Sequence, residues 1–130
     1  MKKLTLLLLL AVGCGVARFS QQSVDIAGSL RDQSTALMAQ ATEPFEDHSD
    51  SVEALRARLL DQLDAERVRE NNMESVTQWN FLINPQGALL GAFLTLWEQQ
   101  GTLGQFFINA KRTQVVTAFN IIIETEELKR

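Results

Sequence analysis

The stretch "DSVEALRARLLDQL", residues 50–63, carries the spacing that decides the fold. Its apolar residues recur at intervals of three, four and four positions, at Val52, Leu55, Leu59 and Leu63. This spacing places them on one face of an α-helix, with the charged residues between them on the other face. Asp50 and Glu53 stand in the relation of a capping box, so we predict that the helix begins there.

The polar segment that follows, "DAERVRENN" at residues 64–72, decides how far this helix extends. Three glutamates in and just beyond it repeat at intervals of four, and stacked like charges slightly destabilise a helix. The apolar stripe nevertheless resumes afterwards, at Met73, Val76 and Trp79. We therefore predict a continuous helix to about Leu82, with a solvated loop near Asn71 as the alternative.

Helical spacing also precedes this region. Between residues 19 and 42 the apolar stripe runs through Phe19, Ile26, Leu30, Leu37 and Ala41. The residue before a proline is disfavoured in helical backbone, so Pro44 should end this first helix.

Two further helices are predicted after residue 83. In "INPQG", Asn84 is placed to be an N-cap and Pro85 the first residue of a helix that extends through Trp97. Gly101 is a suitable stop. Thr102 and Gln105 repeat the capping-box spacing before a final helix, which Lys129 and Arg130 would close favourably against the helix dipole.

Taken together, the patterns predict an all-α fold, a three- or four-helix antiparallel bundle formed by residues 21–130 as a single domain. The segment "RTQVVTAFNIIIET", residues 112–125, is rich in β-branched residues and could form a strand instead. Because its flanks are capped as helix ends are and no partner strand is evident, we assign it to the last helix.

Charge is distributed unevenly along the chain. Residues 43–74 contain ten acidic residues and four arginines, whereas residues 75–123 contain only Glu98, Lys111 and Arg112. Without the first thirteen residues, ten basic residues stand against sixteen acidic ones, a formal net charge of −6. A nucleic-acid partner would require a basic stripe, so we expect none.

The last third of the chain contains most of the aromatic residues. We expect Trp79, Phe81, Phe93 and Trp97 either to pack in the core or to contact a protein partner. Phe106, Phe107 and Phe119 should complete that core.

The same third offers a possible contact with lipid. Residues 75–97 carry no charge and place Gly87 and Gly91 in a G-x-x-x-G relation, which allows close helix contact in membranes. Only residues 88–97 are continuously apolar, and ten residues do not span a bilayer. We favour core packing over a position at the lipid interface or insertion.

Few residues suggest chemistry. The single histidine, His48, lies among Glu46, Asp47 and Asp50, where a weak cation site is conceivable and a solvated acidic turn is favoured. A zinc site normally needs three or four nitrogen or sulfur ligands. No nucleophile and base, phosphate loop or cofactor motif is present in the sequence, so we expect no enzyme and no cofactor.

The amino terminus has the plan of an export signal. Lys2 and Lys3 precede an apolar run through Val12, and the sequence "AVGC" follows, with the only cysteine at Cys14. This junction resembles the lipobox of bacterial lipoprotein signal peptides, with Ala11 in the place where leucine is commonest. The resemblance implies removal of residues 1–13, acylation of Cys14, and a lipidated tether at residues 14–20.

A location and a role follow from that resemblance. The position after the cysteine is Gly15 rather than the aspartate of inner-membrane lipoproteins, which implies an outer-membrane anchor facing the periplasm, or the outer surface of a cell with one membrane. We expect membrane lipid and an envelope protein as partners, and a non-catalytic interaction or scaffold role. The alternatives are a carrier of an apolar ligand and a membrane-active or exclusion-type lipoprotein.

Overall fold

A computed structural model describes residues 15–130, and all regular elements in that range are helical. They are α1 (Gln21–Met38), a 3₁₀ turn (Phe45–His48), α2 (Ser49–Arg67), α3 (Met73–Ile83), α4 (Leu90–Gln100) and α5 (Gln105–Glu127). The predicted all-α class is confirmed, with five α-helices in the described range rather than three or four. The segment 112–125 lies within α5 and is helical despite its β-branched residues.

One hydrophobic core joins the helices. α1 packs along α5, and α3 packs against both α2 and α5. The largest fully buried apolar side chains come from all five helices, and they include Leu30, Leu55, Trp79, Phe93, Trp97 and Phe119. Burying each such side chain contributes roughly 1.5–3 kcal/mol, so the amphipathic stripes are what assemble the fold.

The predicted stripe of residues 50–63 is the inner face of α2. Val52, Leu55, Leu59 and Leu63 are all buried, as expected. The predicted capping box is wrong, however. α2 begins at Ser49, its N-cap residue is His48, and no side chain makes a capping hydrogen bond there. The preceding 3₁₀ turn leads the chain into the helix, and Asp50 lies in the first turn, where it still interacts favourably with the helix dipole.

The continuous helix predicted to Leu82 is also wrong, because α2 ends at Arg67 and α3 begins at Met73. Asn71 adopts a left-handed backbone with φ of 58°, which asparagine tolerates better than most residues. The buried side-chain amide of Asn72 donates to the backbone carbonyl of Glu66 at 2.9 Å and to its Oε1 atom at 2.7 Å. These bonds satisfy the end of α2, so the alternative of a loop near Asn71 is the structure that forms.

Asn84 and Pro85 end a helix rather than begin one. The amide of Asn84 donates to the carbonyl of Asn80 at 3.0 Å, which makes Asn84 the C-cap of α3. Its ψ of 117° is the extended backbone that a following proline favours. The Asn84 side chain then accepts the amide of Gln86 at 2.9 Å in a turn, and α4 begins only at Leu90.

The remaining boundaries shift less. α1 begins where Ser20 accepts the amide of Ser23 at 3.1 Å, and it ends at Met38, before the predicted residue 42. Gly101 stops α4 with φ of 85°, as predicted. The capping box of Thr102 and Gln105 does not form, because Gly104 is the N-cap of α5 and makes no side-chain bond.

Gly91 permits a close approach between the start of α4 and the end of α3. A Cβ atom at this position would lie 2.2 Å from the carbonyl oxygen of Ile83 and 2.8 Å from the carbonyl carbon of Asn84. Both are backbone atoms, which cannot rotate away. The start of α4 therefore packs directly on the end of α3, and the predicted glycine pair contributes to packing within the domain through Gly91.

We expect Gly91→Ala to lower the free energy of unfolding by about 2–3 kcal/mol, because the added methyl group forces a backbone shift. The matched control is Gly28→Ala in the middle of α1, where the nearest atom to a Cβ is a flexible Arg31 nitrogen at 3.9 Å. That change should be neutral or stabilise by roughly 0.5–1 kcal/mol. Urea denaturation followed by circular dichroism measures both, and equal stabilities would contradict the close packing.

Candidate functional site

The aromatic residues predicted as a core or partner surface divide between the two roles. Trp79, Phe93 and Trp97 are almost completely buried, whereas Phe81 is 67% exposed. Trp79 packs edge-on against Phe119, with ring centroids 5.9 Å apart. Three of the four candidates are therefore core residues, and only Phe81 is available to a partner.

The three phenylalanines expected to complete the core also differ. Phe119 is fully buried, and Phe107 is partly buried with its ring stacked on Phe93 at 6.1 Å. Phe106 is 89% exposed, so its assignment to the core is wrong. It lies in the first turn of α5, where Phe107 takes the inward position and Phe106 is directed to solvent.

Cys14 lies outside the described residues, but the segment directly after it packs on the domain. The amide of Ala17 donates to the carbonyl of Asn71 at 3.1 Å, and Ala17 is buried. The carbonyl of Arg18 accepts from the Arg69 guanidinium, and the amide of Ser20 donates to Glu126 at 3.0 Å. The predicted tether is therefore in contact with the domain from Ala17 onward.

A buried network of charged groups fixes that segment. Arg69 donates to both Glu66 and Glu126, each at 2.8 Å, and Lys129 donates to Glu126 at 3.0 Å. Lys129 also donates to Asn72 and Ser75, at 2.6 and 2.7 Å. Each charge has a partner of opposite sign, which is the condition for burying ionised groups at acceptable cost.

The network alters the ionisation of its members. Burial alone would raise the pKa of Glu126, but hydrogen bonds from Arg69, Lys129 and the Ser20 amide outweigh it and lower the pKa to about 2. The pKa of Arg69 is raised, chiefly by its hydrogen bond to Glu126. Both groups are therefore charged at neutral pH, and the network joins the amino-terminal segment to α2 and α5.

A largely apolar depression lies between α2 and α4. This α2–α4 groove has a volume of about 410 Å³, and most of its walls are aliphatic: Leu59, Leu60, Ile83, Pro85, Gly91, Leu94 and the methyl-bearing Thr95. Leu60 is 54% exposed and is the one large apolar side chain exposed along α2. A single exposed leucine is ordinary, but Leu60 forms part of the aliphatic lining of the groove, and a contiguous apolar patch is typical of a binding surface.

Charged side chains border one side of the groove. Arg56 donates to Glu53 at 2.6 Å and to Glu98 at 3.1 Å, so one guanidinium is shared by two carboxylates. The border therefore keeps an excess of negative charge. An apolar centre with a charged edge is the usual plan of a protein-binding surface.

The groove contains residues that the sequence patterns did not indicate. Leu60 directly follows the core residue Leu59 and does not fit the three-four-four spacing of the α2 stripe. That mismatch is a signal for an outward-facing leucine. The opposite wall could not be foreseen, because it depends on the turn at Pro85 that places α4 beside α2.

The remaining sequence features to be located are the single histidine, a possible metal site and a possible membrane-spanning helix. The imidazole Nε2 of His48 lies 2.6 Å from a carboxylate oxygen of Glu43, and its ring lies 5.5 Å from Trp97. Within residues 15–130, no three His, Cys, Asp or Glu side chains converge to hold a metal ion. None of the helices in this range combines the length and apolarity that crossing a bilayer requires.

The geometry thus gives two features of interest, the end of the domain where the amino-terminal segment is attached and the α2–α4 groove. No protein family, curated protein or solved structure matches this chain.

Proposed function

We propose that the protein is an envelope lipoprotein whose helical domain is a non-catalytic protein-interaction module. In this proposal residues 1–13 are a signal peptide, Cys14 carries the acyl chains, and the anchor lies in the outer membrane with the domain in the periplasm. The basic start, apolar run and Gly-Cys junction of the sequence support the anchor. Two or more acyl chains make such attachment stable.

We propose a four-helix antiparallel arrangement for α1, α2, α3 and α5, with α4 packed at the side. Hydrogen bonds between α3 and α5 support it. Ser75 and Gln78, early in α3, pair with Lys129 and Thr125, late in the chain. The carbonyl of Ala88, beyond α3, accepts from Lys111, near the start of α5. In this arrangement α4 lies beside α2, and the two helices form the groove between them.

The α2–α4 groove is the observation that carries the interaction role. Its apolar walls fit aliphatic or aromatic side chains of a partner, and the excess negative charge of Glu53 and Glu98 favours a basic residue beside them. We propose that the occupant is an apolar segment of an envelope protein that carries a neighbouring lysine or arginine. Burial of Leu60 in that contact would contribute to the binding free energy in proportion to the apolar area that it removes from water.

We expect Leu60→Glu to abolish this contact and to leave the domain folded. Because Leu60 is half exposed, the free energy of unfolding should change by less than about 1 kcal/mol. A photo-crosslinking amino acid at Thr95, in the groove wall, measures the contact in cells. The expected product joins Thr95 to an apolar segment with an adjacent basic residue, and it disappears in Leu60→Glu.

Phe106→Glu is the matched control, since it adds the same charge to an exposed apolar position in the first turn of α5. It should leave the crosslink unchanged. If the product persists in Leu60→Glu, or if no partner is captured from Thr95 in acylated, folded protein, the interaction role is contradicted.

The volume of the groove also lies in the range of small-molecule sites, roughly 300–1,000 Å³. The same variants therefore test a carrier role. Native mass spectrometry would support the carrier role if it found an apolar small molecule on the wild type and on Phe106→Glu but not on Leu60→Glu. The occupant of the groove would then be a ligand and not a protein partner.

A further inference from the structure

Four exposed apolar side chains gather at one end of the domain. We name it the basal end, and it consists of residues 15–20, the turn at 68–73 and the chain end at 128–130. Eight large hydrophobic residues are exposed within residues 15–130, and half of them lie here: Val16, Val68, Met73 and Leu128. The hydrogen bonds described above join the three segments of the basal end. The four apolar side chains are not part of the core, and all of them are directed outward.

Neighbouring surface depressions connect these residues. Val16 and Leu128 line the same depression, together with Ser75 and Lys129. Val16 also borders a second depression with Asn71 and with Arg69, the residue that follows Val68 in the chain. Met73 follows Asn72, a residue of the first depression. Val16 and Leu128 therefore share one surface, and Val68 and Met73 are exposed at the two ends of the turn whose residues line both depressions.

The basal end is also the part of the domain closest to Cys14 along the chain. Ala17 is buried and bonded to Asn71, and three residues span at most about 11 Å. Bonds from Arg69 to Arg18 and from Ser20 to Glu126 fix the next residues. An acylated Cys14 would therefore hold Ala17, and with it the basal end, within about 11 Å of the anchor, because only Gly15 and Val16 separate the two residues.

We propose that the basal end docks on the lipid leaflet, with Val16, Val68, Met73 and Leu128 in the interface. This inference rests on the proposed lipid anchor and adds a fixed orientation to it. Five basic residues and five glutamates lie at this end or directly beside it: Arg18, Arg67, Arg69, Lys129 and Arg130, and Glu66, Glu70, Glu74, Glu126 and Glu127. Because the charges nearly balance, the contact relies on apolar side chains and should form on zwitterionic lipid.

The orientation has a consequence for the rest of the molecule. α5 extends from Gln105 to Glu127, so Phe106 lies about 33 Å along the helix axis from Leu128. Docking at the basal end places the first turn of α5 far from the leaflet.

The test uses the acylated full-length protein in phosphatidylcholine vesicles with brominated acyl chains, which quench nearby fluorophores. Because the Cys14 sulfur is a thioether in the acylated protein, a bimane label reacts only at a newly introduced cysteine. Labels at Leu128→Cys and Met73→Cys should lose roughly half of their fluorescence or more, as expected for apolar positions in the interface. The label at Phe106→Cys, the matched exposed position, should lose almost none.

The outcomes separate the docking from the anchor. If intact mass shows acylation and the vesicles carry the protein, but the labels at positions 73 and 128 are not quenched, docking is overturned and the anchor stands. Quenching at position 106 as well would place the domain on its side and also overturn the proposed orientation. A protein that has no acyl chains and does not float with the vesicles overturns both proposals.

Discussion

Glu126→Gln should lower the free energy of unfolding at neutral pH by about 3 kcal/mol. In the network described above, Glu126 is the carboxylate that pairs with both Arg69 and Lys129, and the substitution removes its charge. Glutamine has nearly the same shape, so packing is preserved while the ion pairs are lost. Domains of this size are stable by about 5–15 kcal/mol, so a loss of this size is large. Urea denaturation at pH 7 measures it.

The effect should depend on pH in a definite direction. The pKa of Glu126 is about 2 in the folded state and 4.5 as its ordinary value, so its ionised form stabilises the fold. That contribution, about 3 kcal/mol, is complete above pH 5 and is lost as the pH falls toward 2. The unfolding free energies of the wild type and Glu126→Gln should therefore converge in this window.

Glu127→Gln is the matched control, since Glu127 pairs only with the exposed Arg130 at 3.2 Å. Surface ion pairs are worth at most about 1 kcal/mol, so this variant should remain close to the wild type at every pH. A difference between wild type and Glu126→Gln that is the same at pH 7 and pH 2.5 would show that the network does not act through the charge of Glu126.

Trp97→Ala should destabilise the domain by about 3–5 kcal/mol, the cost of removing a large buried aromatic side chain. Trp97 is fully buried, its indole N–H donates to the carbonyl of Glu43 at 3.0 Å, and its ring meets Phe45 edge-on at 5.5 Å. The loss therefore leaves a cavity and frees the turn between α1 and α2. Thermal and urea unfolding measure the change.

Phe106→Ala provides the comparison, because Phe106 is an aromatic residue of the same third of the chain that faces solvent. Its removal should change the stability by less than about 0.5 kcal/mol. If the two substitutions changed the stability equally, Trp97 would lie on the surface. It would then have the partner-contacting role and not the core role. That result would contradict the prediction that Trp97→Ala destabilises the domain more than Phe106→Ala.

The helical stripes were predictable because apolar spacing is a direct consequence of helix geometry. Val52, Leu55, Leu59 and Leu63 all face the core, and Gly101 ends its helix as expected. The segment 112–125 shows that burial of Val115, Phe119 and Ile122 against other helices outweighs the β preference of its residues.

Helix ends were less predictable because one polar residue can serve either end of a helix. Asn84 before a proline suits an N-cap in sequence, but its amide bonds back to Asn80 and makes it a C-cap. The break before α3 depends on the Asn72 side chain bonding to Glu66, a contact that the spacing of apolar residues does not reveal. Hydrogen bonds made by single polar residues at the helix ends therefore decided the boundaries that apolar spacing left open.

The candidate sites also differ in whether the local sequence reveals them. Cys14 could be proposed from the sequence, since the lipobox resemblance is local. The groove and the basal end could not, because Leu60 meets Pro85 and Val16 meets Leu128 only after the helices have packed. Only the outward position of Leu60 had a signal in the spacing of its neighbours.

The most direct test of the account is the intact mass of the protein purified from bacterial membranes, compared with a Cys14→Ser variant. We predict a chain that begins at Cys14 and carries a diacylglycerol thioether, usually with an additional acyl group on the new amino terminus. The variant should be unacylated and released from the membrane fraction. A wild-type mass that includes residues 1–13 and a free thiol would contradict the lipid anchor.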